Sequence, residues 1–214
     1  MFSCCNSLKS IDVSSFDTSN VTNMRSMFAD CNSLTSVDVS GFNTSKVIAM
    51  DAMFQDCHNL TSIDVSNFDT SNVTYMHAMF QICSSLASVD VSNFDTSKVI
   101  YMQYMFSHCN GLNSIDVSGF DTSQVTDMDF MFNGCSNLTE LDFGNFTMEN
   151  VEVAYSMLSY SDNLSRIQSP KNVKISVLLP TGTWRQTDGT VVSELPTNQA
   201  NSITITKDGA LPPR

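Results

Sequence analysis

Apolar residues recur along this chain in two alternating rhythms. After Leu60 the rhythm has period two: Ile63 and Val65 are apolar, while Ser62, Asp64 and Ser66 are polar. That alternation predicts a strand with one buried face. Phe68 follows, then Asp69-Thr70-Ser71-Asn72, residue types that favour turns and helix N-caps. Val73, Met76, Met79, Phe80, Cys83 and Leu86 then fall three or four apart, which predicts a short helix with one apolar face. The whole unit repeats, because Met1, Met27, Met53, Met79, Met105, Met131 and Met157 each open a copy 26 residues after the last. A fixed period in the range of about 20–50 residues marks a solenoid, whose units bury their apolar sides against one another. Full burial of each inward side chain is worth roughly 1.5–3 kcal/mol, and this gain must offset the entropy of ordering, so a copy needs neighbours.

The pattern decays from Asp142 onward. Gly144 replaces a serine, Thr147-Met148 replaces Asp-Thr, Ala154 replaces a methionine and Ser161 replaces a cysteine. Leu164 and Ile167 hold the register until Pro170 stops it. This divides the chain into a repeat region over 1–168, with six full repeats and a degenerate seventh, and a C-terminal segment over 169–214. In that segment VKISVLL reads as a strand, TGTWRQT and TVVSEL flank an Asp188-Gly189 hairpin signal, and Ser202 to Thr206 alternates like another strand. A small β cap with Trp184 as its apolar anchor is expected there, ending in a Pro212-Pro213 linker. The fold expected for the whole is an α/β repeat solenoid of strand, turn and short helix per repeat.

Charge narrows the partners. With 22 acidic and 10 basic residues the formal net charge is −12, a surface that repels nucleic acid and anionic lipid. No apolar run approaches the roughly 20 residues of a membrane helix. Met1 leads directly into repeat sequence, so the first residue reads as a cut inside a longer solenoid, with any export signal outside this stretch. Cys5, Cys31, Cys57, Cys83, Cys109 and Cys135 share one repeat position. Parallel side chains on stacked coils keep about 4.8 Å between them, longer than the roughly 3.5–4.5 Å between Cβ atoms in a disulfide. A ladder of reduced, buried thiols is expected, and a straight ladder lacks the convergence a metal site needs.

The unit LxxIDVSxFDTSxVTxMxxMFxxCxx, seen from Leu60, Leu86 and Leu112, resembles the BspA-like leucine-rich repeat of bacterial surface proteins. The likeness covers about residues 1–168 and rests on the FDTSxVTxM and MFxxC blocks at fixed spacing. It implies a right-handed leucine-rich-repeat-like coil in an exported, often wall-attached protein that adheres to a host or a neighbouring cell. Leu179-Pro180-Thr181-Gly182-Thr183 approaches a sortase signal, but LPxTG needs threonine fourth and glycine fifth. If the protein has a wall anchor, it is therefore expected beyond Arg214.

Three surfaces are candidates for function. Asp12, Asp38, Asp64, Asp90, Asp116 and Asp142 occupy one outward strand position, flanked by serines. Such a stripe is either a solvated, serine-bonded face or a surface that a basic partner or a cation neutralises; no calcium loop motif accompanies it. Asp17, Asp69, Asp95 and Asp121, with Asn43 in the same row, fit capping of turn amides. Tyr101, Tyr104 and His108 lie at helical spacing away from the Met/Phe face, with Tyr75 and Phe130 aligned on either side. In the first two repeats the equivalents are Asn23, Ser26, Ala49 and Ala52, so the aromatic cluster belongs to the middle repeats. It suits stacking on a sugar or a protein, or packing between neighbouring helices. For catalysis there is little: His58, His77 and His108 sit at three different repeat positions, and no HExxH, P-loop or nucleophile elbow occurs.

The expectation is a non-enzymatic extracellular module, without cofactor or metal, that binds a protein or glycan on a host or neighbouring cell. The alternative is a stalk without a ligand of its own. A weaker third reading, an ice- or mineral-binding face, rests on the stacked Thr18, Thr44, Thr70, Thr96 and Thr122.

Overall fold

The computed structural model describes residues 1–210; the Pro212-Pro213 linker expected from the sequence lies outside the described residues. Successive repeats stack as coils, each bonded to the same place in the next. Asn23, Ala49, Tyr75, Tyr101, Asp127 and Val153 form one continuous row of parallel β-bridges. Phe28, Phe54, Phe80, Phe106 and Phe132 stack down the interior at centroid spacings of 5.6, 5.7, 5.7 and 5.4 Å. From the second copy on, the repeat positions of Leu60, Met76, Met79 and Cys83 are buried alongside them.

The expected helix does not form. Among the described residues there is no helix at all, and the segment Met76–Leu86 is a run of tight turns. Its amides split two ways. Met76, Ala78, Phe80 and Ile82 donate to Tyr101, Gln103, Met105 and Ser107 of the next coil, at 3.3, 2.9, 2.9 and 2.7 Å. Met79, Gln81, Cys83 and Leu86 donate three residues back, to Met76, Ala78, Phe80 and Cys83. A right-handed helix is also barred by Ala78 and Ile82, whose φ angles of 57° and 59° are left-handed. Chained turns bring every third or fourth side chain inward, so they reproduce the apolar spacing of a helix without its i→i−4 bonds. The α/β repeat with a helix per unit, and the leucine-rich-repeat-like coil built on it, are thus replaced by an all-turn-and-strand coil.

The alternating SIDVS segments do bury Ile63 and Val65 and expose Ser62, Asp64 and Ser66. They touch their neighbours sparingly, through bonds such as Thr61 N–H to Thr35 O at 3.4 Å. A true ladder appears only at the end of the stack, where β1 (Glu140–Asp142) pairs in parallel with β2 (Arg166–Gln168). The C-terminal segment then adds antiparallel strands. Strand β5 (Thr204–Lys207) covers β2, β3 (Trp184–Gln186) pairs with β5, and β4 (Val191–Val192) pairs with β3 across the Asp188-Gly189 turn. VKISVLL forms no strand of its own beyond an isolated bridge from Leu178 to Glu194. Trp184 is fully buried, and its indole N–H donates to Pro180 O at 2.8 Å.

Two rows of side chains finish the coils. The cysteines are free, and those from Cys31 to Cys135 are buried. Each of these thiols donates to a phenylalanine carbonyl of the preceding coil, as Cys57 does to Phe28 O at 3.2 Å and Cys109 to Phe80 O at 3.0 Å. Ser161 keeps the bond where the cysteine is lost, donating to Phe132 O at 2.6 Å. The threonines of the FDTS blocks are buried too. Thr44 donates to Asp69 O at 3.0 Å and accepts from Asp69 N–H at 2.7 Å. Threonines turned inward to brace the next coil present no face to ice or mineral, which removes that reading.

Candidate side-face groove

Two edges of the coil carry the polar chemistry. On the SIDVS edge, Asp38, Asp64, Asp90 and Asp116 are exposed, and each carboxylate accepts from the backbone amide two residues on. In Asp64 and Asp90 the serine hydroxyl donates as well, at 2.6 and 2.7 Å. Bonds from the neighbouring serine hold all four carboxyls below the usual carboxylate range. Repulsion from Asp64 and Asp12 acts on Asp38 in the opposite sense and is the smaller influence. Asp17, Asp69, Asp95 and Asp121 likewise accept from the amides of Ser19, Ser71, Ser97 and Ser123.

The other edge belongs to the turn run. Here the outward side chains of two adjacent rows, those of Tyr75 and His77 and their equivalents, line a groove of about 340 Å³. Its outer row is Asn23, Ala49, Tyr75 and Tyr101; its inner row is Arg25, Asp51, His77 and Gln103. Tyr75 and Tyr101 are 40% and 37% exposed, with rings stacked at 6.0 Å and 16°. A volume of this size suits a small ligand, since binding clefts run from about 300 Å³ upward.

The inner row contains an unusual polar cluster. The Asp51 side chain is only 3% exposed, with Arg25 Nε 2.8 Å and His77 Nε2 3.6 Å from its Oδ2. The Arg25 contact is an ion pair by distance but is not aligned as a hydrogen bond, so Oδ2 remains without a hydrogen-bond partner, as do His77 Nδ1 and Gln103 Oε1. Buried polar atoms left unmatched cost free energy, so three together in one groove call for an explanation. One coil on, Asp127 continues the outer row, its carboxyl pushed up by burial and by the nearby Asp129 charge.

The aromatic cluster expected from helical spacing is divided. Tyr75 and Tyr101 share the groove, whereas Tyr104, Phe130 and His108 do not line it. Tyr104 and Phe130 stack on each other at 4.8 Å. His108 lies over Gly134, where a Cβ would come within 2.5 Å of its ring. Sequence reasoning missed Arg25, Asp51, His77 and Gln103 as a set. The signal was present: between two methionine-bearing positions, one repeat position runs Arg25, Asp51, His77, Gln103, Asp129, changing charge or shape at every step. Among the described residues no three potential metal ligands converge.

Residues 1–89 and 61–171 match the model of a family described as Mycoplasma protein of unknown function, DUF285. No curated protein and no solved structure matches the chain.

Proposed function

The chain belongs to this DUF285 repeat family, and from the likeness of its repeat to the BspA-like unit we propose that it is a non-enzymatic binding module carried outside a bacterial cell. Its target is a protein or glycan on a host or neighbouring cell, and the turn-run edge of the stack meets it. One observation carries the reading: a position that changes chemical class from repeat to repeat, through Arg25, Asp51, His77 and Gln103, lines a groove with two exposed tyrosines. Repeats under a purely architectural demand would be free to keep that position constant, as they keep the aspartates of the SIDVS edge.

That constancy also supports a second reading, a spacer that projects other domains. A glycan array together with pull-downs of purified matrix proteins separates the two. Binding that is lost on Tyr75→Ala supports the module; silence in both assays supports the spacer. Digestion of the protein by protease added to intact cells checks the location.

A further inference from the structure

The groove has a notch in its outer row. Ala49 stands between Asn23 and Tyr75, so one rung of the row carries only a methyl group. Asn23 and Tyr75 are two coil steps apart, about 10 Å at roughly 4.8 Å per step. That leaves room for one flat ring lying over Ala49 with a face against Tyr75. The unmatched atoms floor the groove one coil apart: Asp51 on the coil of Ala49, His77 on that of Tyr75 and Gln103 on that of Tyr101. Asp51 Oδ2 and Gln103 Oε1 are acceptors only, and His77 Nδ1 takes either role. The part-exposed His77 and Gln103 side chains reach upward by rotation about their χ bonds. A ligand for this floor must bring hydrogen-bond donors at each successive coil along the groove. It must also be neutral or nearly so, because Arg25, with its side chain 63% exposed, already offsets Asp51 and would repel a cation. A peptide offers one amide donor per residue; a sugar ring offers several hydroxyls and a C–H face that packs on an aromatic ring.

Building on the binding-module reading, we infer that the slot over Ala49 is a subsite for a pyranose ring of a neutral glycan. Tyr75 stacks on the first sugar, Arg25, paired with the buried Asp51, donates to its oxygens, and His77 and Gln103 accept from hydroxyls at the next two coils. The chain of sugars runs along the stack toward Tyr101.

The test is calorimetric titration with a panel of neutral oligosaccharides of glucose, galactose, mannose and xylose, using the whole chain. At least one should bind. Tyr75→Ala should weaken that binding about tenfold. Ala49→Trp, which fills the slot from a side chain that already points outward, should abolish it with an unchanged circular dichroism spectrum. Asp64→Asn on the opposite edge should leave it unaltered. Failure of every neutral sugar to bind, or binding undiminished in Ala49→Trp, overturns the inference. If the sugars fail but a purified matrix protein binds and is lost on Tyr75→Ala, the sugar subsite is wrong and the module reading stands. If both probes fail, both readings fall.

Discussion

The two polar edges of the coil answer the same problem, how to hold charge on a stacked repeat, in opposite ways. On the SIDVS edge each carboxylate is satisfied inside its own loop, by the amide and hydroxyl of the serine two residues on. Those local bonds outweigh the repulsion between like charges on adjacent coils, so the carboxyls are shifted down and not up. The row needs no cation or basic partner to exist. On the turn-run edge, Asp51, His77 and Gln103 depend on other coils and are left incompletely matched. A charge repeated at every coil here reports a turn requirement, whereas a charge that changes at every coil reports a surface free to specialise.

The sharpest way to break this contrast lies under the SIDVS edge. Thr44→Val keeps the shape but removes the buried hydroxyl that both donates to and accepts from the part-buried Asp69 backbone. The expected loss, read from urea denaturation, is about 2–4 kcal/mol. A loss near zero would mean that the buried threonines do not brace the coils. The turn-run edge should respond in the other direction at its strained positions. Ile82 is β-branched at φ 59°, where Asn is tolerated far better, so Ile82→Asn should stabilise the protein by about 1 kcal/mol.

Charge removal should then separate the edges by function. Asp51→Asn discards a buried charge together with its ion pair, two effects that nearly cancel, so stability should move by less than about 1 kcal/mol. Ligand binding should nevertheless fall. Asp64→Asn should change neither, because Asn43 already fills the equivalent acceptor role in the neighbouring row, accepting from the Ser45 amide at 3.1 Å. The smallest effect is in acid. A carboxyl with a lowered folded pKa binds its proton more weakly when folded, so its stabilisation is present above the unfolded pKa of about 3.9 and lost as pH falls through the folded value. A melting curve should thus hold above about pH 4 and decline below it, and Asp38→Asn with Asp90→Asn should flatten that decline.

The period, the inward positions and the C-terminal hairpin were all legible in the residues, since each is a pattern of apolar spacing or turn chemistry. The helix was misread for a physical reason. MxxMFxxC gives Met76, Met79, Phe80 and Cys83 the same spacing whether the backbone closes bonds four residues back or alternates between three residues back and the next coil. Inter-coil bonding leaves no local mark, and a helical segment this short has little stability of its own to compete with it. The site was legible in part. The repeat register aligned Tyr75 with Tyr101 and Phe130 with Tyr104, and both pairs stack, whereas helical spacing grouped Tyr101 with Tyr104 and His108 and gave no sign of the groove floor at His77 and Gln103.

Burial of the interior sulfur row has an effect on chemical durability. The thiols of Cys57 and Cys135 are pushed up to about 12, and those of Cys83 and Cys109 are raised well above their ordinary value, by desolvation before anything else. At neutral pH these sulfurs stay protonated, and the ionised form is the one that oxidants and alkylating agents attack. The stack can therefore pass between reducing and oxidising surroundings with its interior sulfur untouched, and a thiol label added to the native protein should find only the end near Cys4 and Cys5.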